Sequence, residues 1–558
     1  MKKLLTSRLF RVLIIIVLLL AALMIYYFQA VKLDPPKIEN AKAINLTKDS
    51  VAPGVYSCKT SWLRKNRAGL YEMYLEGKPF EMGRINGVLS QDLLNYQEQV
   101  FVDRLREMVP SPGYLNMLKY FVAWFNRDMD KYVPLEFQQE IYGISLAASE
   151  EFNFISHNYQ RILNYHGAHD IGHAMQNLNL VACTAFAAWD EATADSSLII
   201  GRNFDFYMGE DFARNKIVTF LHPENGYRLM MITWGGMTGV VSGMNEKGLT
   251  VTLNAAKSSI PTKAKIPVSL LARLILQYAS SIDEAVKIAG EHETFVSESF
   301  LIGSASDKKA VLIEKSPEKT GIFYPEKSTL VVTNHFQSQT FANDERNLEG
   351  MAEGASVYRL QRMQELLDSH PGINPEKAAA ILRDKKGLKD TDIGLGNEKA
   401  VDQLIAHHSI IFKPEQLLVW VSTQPYQEGE FLCYDLNEIF FGNPDFTHEI
   451  DEPGLAIPAD TFLLSTEWTD FLEYRQLTDQ IKNRLDKGEK GFLSEQEIEH
   501  YLSLNPGYYY PHFLIGKYYQ TLGNTEKAEI ELKTALQKEI PRKVDREEVE
   551  EVLNILEK

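Results

Sequence analysis

The chain has 558 residues, of which 45% are hydrophobic and 24% are charged, and this composition is typical of a globular protein rather than a disordered one. Its formal net charge of −17 excludes the broad basic surface that displaces counterions from phosphates, so nucleic acid is not expected as a partner.

The first 30 residues predict a membrane anchor. An uncharged apolar run extends from Val12 to Phe28, close to the roughly 17 to 25 residues that a spanning helix needs. Four basic residues precede it: Lys2, Lys3, Arg8 and Arg11. Basic residues stay on the cytoplasmic side, so we expect the rest of the chain in a periplasm or at a cell surface. A cleaved signal peptide is the alternative, but the Ala-x-Ala-like site that usually follows one is missing at Ala30.

Residues 31–55 contain prolines and predict a linker, and residues 56–182 predict a helical front segment. The stretch QDLLNYQEQVFVDRLREMV, for example, repeats its apolar residues at helical spacing. From residue 183 to 458 the pattern changes to short β-branched and aromatic runs, such as SLIIGRNFDF, NKIVTFLH, YRLMMITW, GLTVTLN and EQLLVWVST. Grouped helical stretches interrupt these runs, so the segment predicts an α+β domain with layered sheets.

Residues 459–558 predict an all-α tail. Within it, glycines, alanines and a tyrosine are spaced as in one tetratricopeptide (TPR) repeat: Gly516, Tyr519, Gly523, Ala528 and Ala535. One repeat cannot bury its own apolar face, because such units normally need about three neighbours. We therefore expect the tail to pack on the preceding domain, and binding of a peptide partner is the alternative.

The chain contains three cysteines, Cys58, Cys183 and Cys433. In an exported protein an odd count suggests one pair and one free thiol. If Cys183 is the reactive thiol, Cys58 and Cys433 are left as a candidate disulfide; three unpaired cysteines are the alternative.

Cys183 needs a base, because a free thiol is only a few per cent ionised near neutral pH. Cleavage of the Ala182–Cys183 bond would place a new α-amino group beside the thiol, and an amine with a pKa near 7.7 to 8.0 can accept the thiol proton. Such a site also needs a carboxylate to hold the amine and a cation near the sulfur. Arg202 and Asp205 lie three residues apart near the end of a predicted strand and could supply both, or could form a structural salt bridge.

The run CTAFAAW…GRNFDF, followed by SGMNEKGLTVTLNAA and LVVTNHF, resembles the cysteine N-terminal-nucleophile (Ntn) hydrolases. These include choloylglycine and penicillin V acylases, acid ceramidase and isopenicillin N acyltransferases. The resemblance covers about residues 70–445, and YLEGKPFEMGRINGVLSQDLL is most similar to the acyltransferase and acyl-amide hydrolase branch. It implies a four-layer αββα sandwich and a prosegment that stays bound after cleavage, with no cofactor.

By position, the resemblance makes Cys183 the nucleophile and new N-terminus. Arg202 becomes the cation beside the thiol, and Asp205 becomes the carboxylate that orients the amine. Acid ceramidase joins its two pieces by a disulfide, and the resemblance implies the same role for Cys58 and Cys433, provided that their Cα atoms lie within about 7 Å.

Three more positions match the family. Asn254 and Asn334 correspond to asparagines that line the oxyanion hole, and Arg359 lies where the family often has another active-site arginine. The residue before the cleavage site is Ala182, whereas relatives often have glycine there. Its small side chain still permits the strained peptide that self-cleavage requires.

A competing site precedes Cys183 in NYHGAHDIGHAMQ. On a helix His169 and His173 would share one face at the spacing of zinc ligands, with His166 nearby. No glutamate lies between them as a general base. The alternatives are hydrogen bonding or helix capping within the prosegment, and a role as a substrate lid or in processing. His407 and His408 precede a predicted buried strand and are expected to make structural hydrogen bonds.

The sequence therefore predicts an autoprocessing amidohydrolase or acyltransferase that cleaves linear N-acyl amides of small molecules or lipids through a Cys183 thioester. Two alternatives remain: a non-catalytic membrane-tethered scaffold that binds partners through its tail, and a metallohydrolase that uses the histidine cluster.

Overall fold

The computed structural model describes residues 8–109, 111–168, 170, 182–206, 208–257, 261, 263–442 and 444–556. His169 and His173 of the histidine cluster lie outside the described residues.

The first helix, α1 (Arg8–Ala30), contains a stretch from Phe10 to Ala30 that is long and apolar enough to cross a membrane, and this stretch is exposed. An N-terminal signal sequence has the same properties. The predicted linker after it is not a free spacer, because Val31 and Leu33 are buried. The side-chain amide of Gln160 donates to the carbonyl of Val31 at 2.7 Å and ties this segment to the folded body.

The prediction of helix throughout residues 56–182 was wrong at its beginning. Four strands precede the helices: β1 (Asp49–Ala52), β2 (Val55–Cys58), β3 (Ser61–Lys65) and β4 (Tyr71–Gly77). These strands have only four to seven residues, too few to show a clear periodicity, and several of their residues are buried on both faces. The helices of the front segment follow: α2 (Pro79–Leu89), α3 (Gln91–Met108), α4 (Pro112–Phe125), α5 (Leu135–Ser145) and α6 (Asn158–His166).

Within the described residues, the segment that begins at Cys183 supplies most strands of two sheets. These strands are β5 (Thr184–Asp190), β6 (Ser196–Phe204), β7 (Ile217–Pro223), β8 (Leu229–Thr233), β9 (Ser242–Asn245), β10 (Leu249–Ala255), β11 (Glu298–Ser304), β12 (Lys309–Lys315), β13 (Thr320–Phe323), β14 (Thr329–Val332), β15 (His408–Lys413), β16 (Leu418–Ser422) and β17 (Phe431–Asp435). Its helices are α7 (Glu210–Arg214), α8 (Val268–Tyr278), α9 (Ile282–Glu291), α10 (Glu345–Glu353), α11 (Ser356–Ser369) and α12 (Pro375–Leu382).

The larger sheet has the order β1-β2-β3-β4-β7-β8-β9-β10-β11-β12-β13. Its pairs are antiparallel except β4 with β7, where the front segment joins the rest of the sheet in parallel. The smaller sheet has the order β14-β5-β6-β15-β16-β17 and is antiparallel throughout. The mixed α+β class predicted from the sequence is confirmed.

Alternate residues of the strands pack on opposite faces, which is the two-residue period of β-structure. Ala185 and Ala187 of β5 pack between the two sheets, whereas Phe186 and Ala188 pack against α11 and α12. The outer face of the larger sheet packs against the helices of the front segment and against α8 and α9. Apolar contacts thus join sheet to sheet and each sheet to its own helices.

This layering explains why the predicted disulfide is not formed. Cys58 and Cys433 are both free and buried. Cys58 packs in the cluster outside the larger sheet, and Cys433 packs in the cluster outside the smaller sheet. Both sheets therefore lie between the two thiols, so the prediction was wrong.

The tail is helical, as predicted: α13 (Thr466–Asp486), α14 (Glu495–Leu504), α15 (Tyr509–Thr521), α16 (Thr525–Gln537) and α17 (Lys543–Leu556). Its core includes Leu404 and Tyr426 of the preceding segment. The side chain of Asn505 also exchanges two hydrogen bonds with the backbone of Leu395, at 2.9 and 3.0 Å. The tail is thus docked on the strand-containing body.

Candidate active site

Cys183 is fully buried and directly precedes β5 in the smaller sheet. In the β5–β6 pairing Ala185 lies opposite Arg202, and this register brings the end of the arginine side chain to the sulfur. The Nη2 atom of Arg202 lies 3.5 Å from Sγ of Cys183. The predicted pairing of a cation with this thiol is therefore present in the geometry.

Arg202 reaches from the smaller sheet to the larger one. Its Nη1 atom donates to the carbonyl of Val241 at 2.8 Å, and its Nη2 atom donates to the carbonyl of Leu253. The ring of Phe204 covers the guanidinium at 4.4 Å. Burial lowers the pKa of Arg202, and the neighbouring Cys183 partly offsets this effect.

A chain of polar side chains continues from Arg202. Its Nη1 atom donates to Oγ of Ser242, whose oxygen lies 2.9 Å from Nε2 of His408, and Nδ1 of His408 lies 3.0 Å from Nδ1 of His407. Arginine only donates, so Ser242 accepts from it and has its own hydrogen left for His408. His408 then donates from Nδ1 to His407. Burial lowers the pKa of both histidines, which favours these neutral forms.

Asp205 follows the end of β6 and is fully buried. Its carbonyl accepts from the backbone amide of Ala182 at 3.0 Å, and its Oδ2 atom lies 3.4 Å from Nε2 of Gln403. Its Oδ1 atom has no hydrogen-bond partner among the described residues. Burial raises the pKa of Asp205 to about 8; Arg359 opposes this shift, and Asp402 adds to it. Burial in the uncleaved chain thus favours the protonated form of this carboxyl group.

Arg359, near the start of α11, binds both sides of the predicted cleavage site. Its Nη1 atom donates to the carbonyl of Ala182 at 2.7 Å, to the carbonyl of Cys183 at 3.0 Å and to Oγ1 of Thr184 at 2.7 Å. Its Nη2 atom donates to Oδ1 of Asn334 at 2.8 Å. A second side chain, Gln403, donates from Nε2 to the carbonyl of Ala182 at 3.0 Å.

Asn334 and Arg202 both bind the backbone on either side of Asn254 in the sequence. The amide nitrogen of Asn334 donates to the carbonyl of Ala255, the residue after Asn254, at 2.9 Å. The carbonyl of Leu253, the residue before Asn254, accepts from Arg202. The Asn254 side chain itself is fully buried, and neither of its amide atoms has a hydrogen-bond partner within the described residues.

The Cys183 thiol is neutral in the uncleaved chain. Burial raises its pKa to about 11; Arg202 opposes the shift, whereas Asp205 and Glu298 add to it. Glu298 lies on β11 opposite Ala255 and was not singled out in the sequence. Glu298 stands inside the apolar run FVSESFLI, and a charged residue in such a run could have marked it as a candidate. Gln403 has no comparable signal, because it lies in a loop whose position only the fold determines.

A small cavity of about 50 Å³ lies between α3, α6 and the segment after β6. Apolar side chains line most of it, including Leu94, Phe101, Ile162, Phe206 and Trp234. The ring of His407 packs against Trp234 at 5.4 Å, so the polar chain from Arg202 ends beside this cavity.

His166 is already engaged by protein atoms. Its Nδ1 atom donates to the carbonyl of Ile162 at 2.9 Å, and its Nε2 atom accepts from the backbone amide of Thr238 at 3.0 Å. Burial lowers its pKa to about 4. Both ring nitrogens are occupied, so the described part of the histidine cluster offers no free ligand.

The model of the acyl-coenzyme A:6-aminopenicillanic acid acyl-transferase family matches residues 192–423. An N-acylethanolamine-hydrolyzing acid amidase from Caenorhabditis elegans is 25% identical over 323 residues, which are 54% of this chain and 84% of that protein. The chain belongs to the Ntn hydrolase superfamily.

Two further proteins are similar to parts of this chain. An uncharacterized protein from Archaeoglobus fulgidus is 28% identical over 277 residues, and the match spans 46% of this chain and 45% of that protein. The structure of a Caenorhabditis elegans N-acylethanolamine-hydrolyzing acid amidase ortholog is 20% identical with a TM-score of 0.30, covering 42% of this chain and 93% of that one.

Proposed function

We propose that this Ntn chain cleaves its own Ala182–Cys183 bond and then uses the freed Cys183 to hydrolyse or transfer the acyl group of linear N-acyl amides. One observation carries the proposal: the carbonyl oxygen of Ala182 accepts hydrogen bonds from Arg359 and Gln403, while the thiol of the next residue lies beside Arg202. This is the donor arrangement that an attack on that carbonyl requires.

Self-cleavage would proceed through a thioester. Sγ of Cys183 adds to the carbonyl carbon of Ala182, and the oxygen takes up negative charge that Arg359 and Gln403 stabilise. The C–N bond then breaks, and the nitrogen of Cys183 leaves with the proton that the thiol has lost. Water hydrolyses the thioester, which produces a carboxylate on Ala182 and a free thiol and α-amine on Cys183.

The new amine changes the electrostatics of the site. A protonated amine next to Asp205 favours the ionised carboxylate, which lowers the pKa that burial raises in the uncleaved chain. The neutral amine can accept the thiol proton as Cys183 attacks a substrate amide. This is the role that the resemblance gives to Asp205.

In turnover, the thiol adds to the carbonyl carbon of the substrate amide. The unpaired amide of Asn254, together with Asn334, would stabilise the oxyanion. The amine then returns the proton to the leaving nitrogen, and an acyl thioester remains on Cys183. Water resolves this thioester in hydrolysis, and a second amine resolves it in acyl transfer.

The architecture supports the remaining parts of the proposal. Helices packed outside two sheets support the four-layer αββα sandwich that the resemblance implies. The front segment contributes β1–β4 to the larger sheet, so it would remain bound as a subunit after cleavage. We assign α1 as the membrane anchor, with the rest outside the cytoplasm, and the α15–α16 hairpin as a TPR-like element of the tail.

The test compares the full chain with Cys183→Ala by intact mass, N-terminal sequencing and turnover of an N-acyl amide with a fluorescent amine. We expect a fragment that begins at Cys183 in the unaltered chain, and neither cleavage nor turnover in the variant. Cys58→Ala, which removes another buried free thiol, serves as the matched control and should retain both activities. Amide turnover by a chain that remains uncut would overturn the proposal.

A further inference from the structure

Helix α4 is largely apolar yet packs little of itself into the protein. Its sequence, PGYLNMLKYFVAWF, contains a single charged residue, Lys119, and only Phe125 is buried. Two of its exposed side chains are Met117, at 57%, and Phe121, at 60%. A soluble helix with this composition would normally lie in a core, so its outer face requires an apolar partner.

The end of α1 contacts this helix directly. The hydroxyl of Tyr27 donates to the carbonyl of Tyr120 at 2.6 Å, and the ring of Tyr27 stacks on Trp124 at 5.9 Å. Tyr26 contacts the same tryptophan at 6.3 Å. The outer face of α4 thus continues the apolar surface of α1 at the end of its run, where a spanning helix leaves the bilayer.

Two cations lie beside aromatic residues of this surface. Arg127 lies 4.2 Å from the ring of Trp124, and Lys119 lies 5.1 Å from the ring of Tyr120. Interfacial membrane surfaces combine aromatic side chains at the headgroup level with basic side chains that reach lipid phosphates. A contact between two protein copies would not require these two cations.

We propose that the outer face of α4 inserts into the headgroup region of the bilayer that α1 spans, as a second membrane contact. Its partner is a lipid surface containing anionic phosphates. The inference rests on the anchoring role of α1 within the proposed function. It adds that the folded body contacts the membrane surface directly and is not attached through α1 alone.

The test uses the full chain in the Cys183→Ala background, which removes the reactive thiol. An environment-sensitive fluorophore is attached at Met117→Cys, and the chain is reconstituted in vesicles of phosphatidylcholine and phosphatidylglycerol. The remaining cysteines, Cys58 and Cys433, are buried and do not compete for the label. Matched labels at Val17→Cys in α1 and Ile530→Cys in the exposed tail report on the bilayer and on water.

We expect brominated acyl chains to quench the label at position 117 and aqueous iodide to leave it bright, with the reverse at position 530. Quenching by iodide at 117, with lipid quenching at 17, would overturn the inference and leave the anchor intact. A label at 117 shielded from both quenchers would indicate a second protein copy and would also overturn it. Lipid quenching at position 117 without any at position 17 would support the α4 contact and reject the anchor. If lipids quench neither label, both the α4 contact and the anchor are rejected.

Discussion

Arg359 donates to the carbonyl oxygen of Ala182 at 2.7 Å, and the same nitrogen donates to the carbonyl of Cys183 at 3.0 Å. One guanidinium therefore fixes the peptide on both sides of the proposed cleavage site. Gln403 approaches the Ala182 carbonyl as a second donor. An oxygen held by two donors before reaction is prepared to carry negative charge, because the donors need no reorganisation when that charge develops.

Gln403→Leu should slow self-cleavage while the chain still folds. Leucine has a similar size but cannot donate to the Ala182 carbonyl, and the loss of one oxyanion donor typically costs about 10²- to 10³-fold in rate. The rate is measured as the appearance of the 183–558 fragment by gel or mass spectrometry. Gln427→Leu, which changes another buried glutamine, should cleave at the normal rate. Equal self-cleavage rates for the unaltered chain and Gln403→Leu would show that Gln403 fills space and does not stabilise the oxyanion.

Asp205→Asn should remove a pH-dependent loss of stability, measured as the free energy of unfolding, from the uncleaved chain. The folded pKa of Asp205, raised to about 8, lies above its usual value, so the folded chain binds the proton more tightly than the unfolded chain. Its contribution to the free energy of unfolding is therefore full at low pH and is lost as pH rises towards about 8. That range begins at the usual aspartate pKa of about 3.9. Chemical denaturation of Cys183→Ala and Cys183→Ala/Asp205→Asn at about pH 4 and about pH 8 therefore measures the difference in their free energies of unfolding at the two ends of the range.

At the higher pH the double variant should be the more stable of the two, by several kcal/mol at most, since one unit of pKa shift corresponds to about 1.4 kcal/mol. The gap should nearly close at the lower pH, where the carboxyl group is protonated in the folded chain and about half protonated in the unfolded chain. A gap of the same size at both pH values would mean that ionisation of Asp205 contributes nothing to stability.

The sequence predicted those parts of the fold that repeat over many residues. The long runs around Leu198 and Val251 formed buried strands, and the helical spacing of residues 91–108 formed α3. The strands β1–β4 were missed because each is short and because β4 pairs in parallel with β7, a contact across more than a hundred residues that local pattern cannot reveal.

Within the site, the residues found from sequence lie in motifs that continue along a strand, such as GRNFDF and VTLN. Gln403 and Glu298 were missed because their position depends on how separate segments pack. His408 was expected to make structural hydrogen bonds, and its link through Ser242 to Arg202 also required the pairing of β15 with β6. The disulfide was wrong for the same reason, since counting cysteines does not reveal which sheet face each one occupies.

Asn254→Ala should reduce amide turnover strongly without a comparable loss of stability. Both amide atoms of Asn254 are buried and unpaired among the described residues, so alanine removes an unsatisfied polar group together with some volume. Asn203→Ala is the matched comparison, because its amide nitrogen donates to the carbonyls of Leu382 and Val401 at 2.8 and 3.0 Å. In thermal denaturation, Asn203→Ala should clearly lower the midpoint temperature and Asn254→Ala should change it little. The kcat value, in contrast, should fall most for Asn254→Ala. The reverse order would assign Asn254 to packing.

His408→Phe should raise the pKa of the Cys183 thiol, although His408 does not contact the sulfur. In the uncleaved chain Nε2 of His408 accepts from Ser242, which in turn holds Arg202 beside the sulfur. Phenylalanine offers no acceptor, so Ser242 would compete for other partners and Arg202 would support the thiolate less. The pH profile of Cys183 alkylation by iodoacetamide should therefore move to higher pH in the cleaved enzyme. His408→Gln retains an acceptor oxygen and should restore much of the profile. Identical profiles for both variants, with equal losses of stability, would show that His408 only fills space between the sheets.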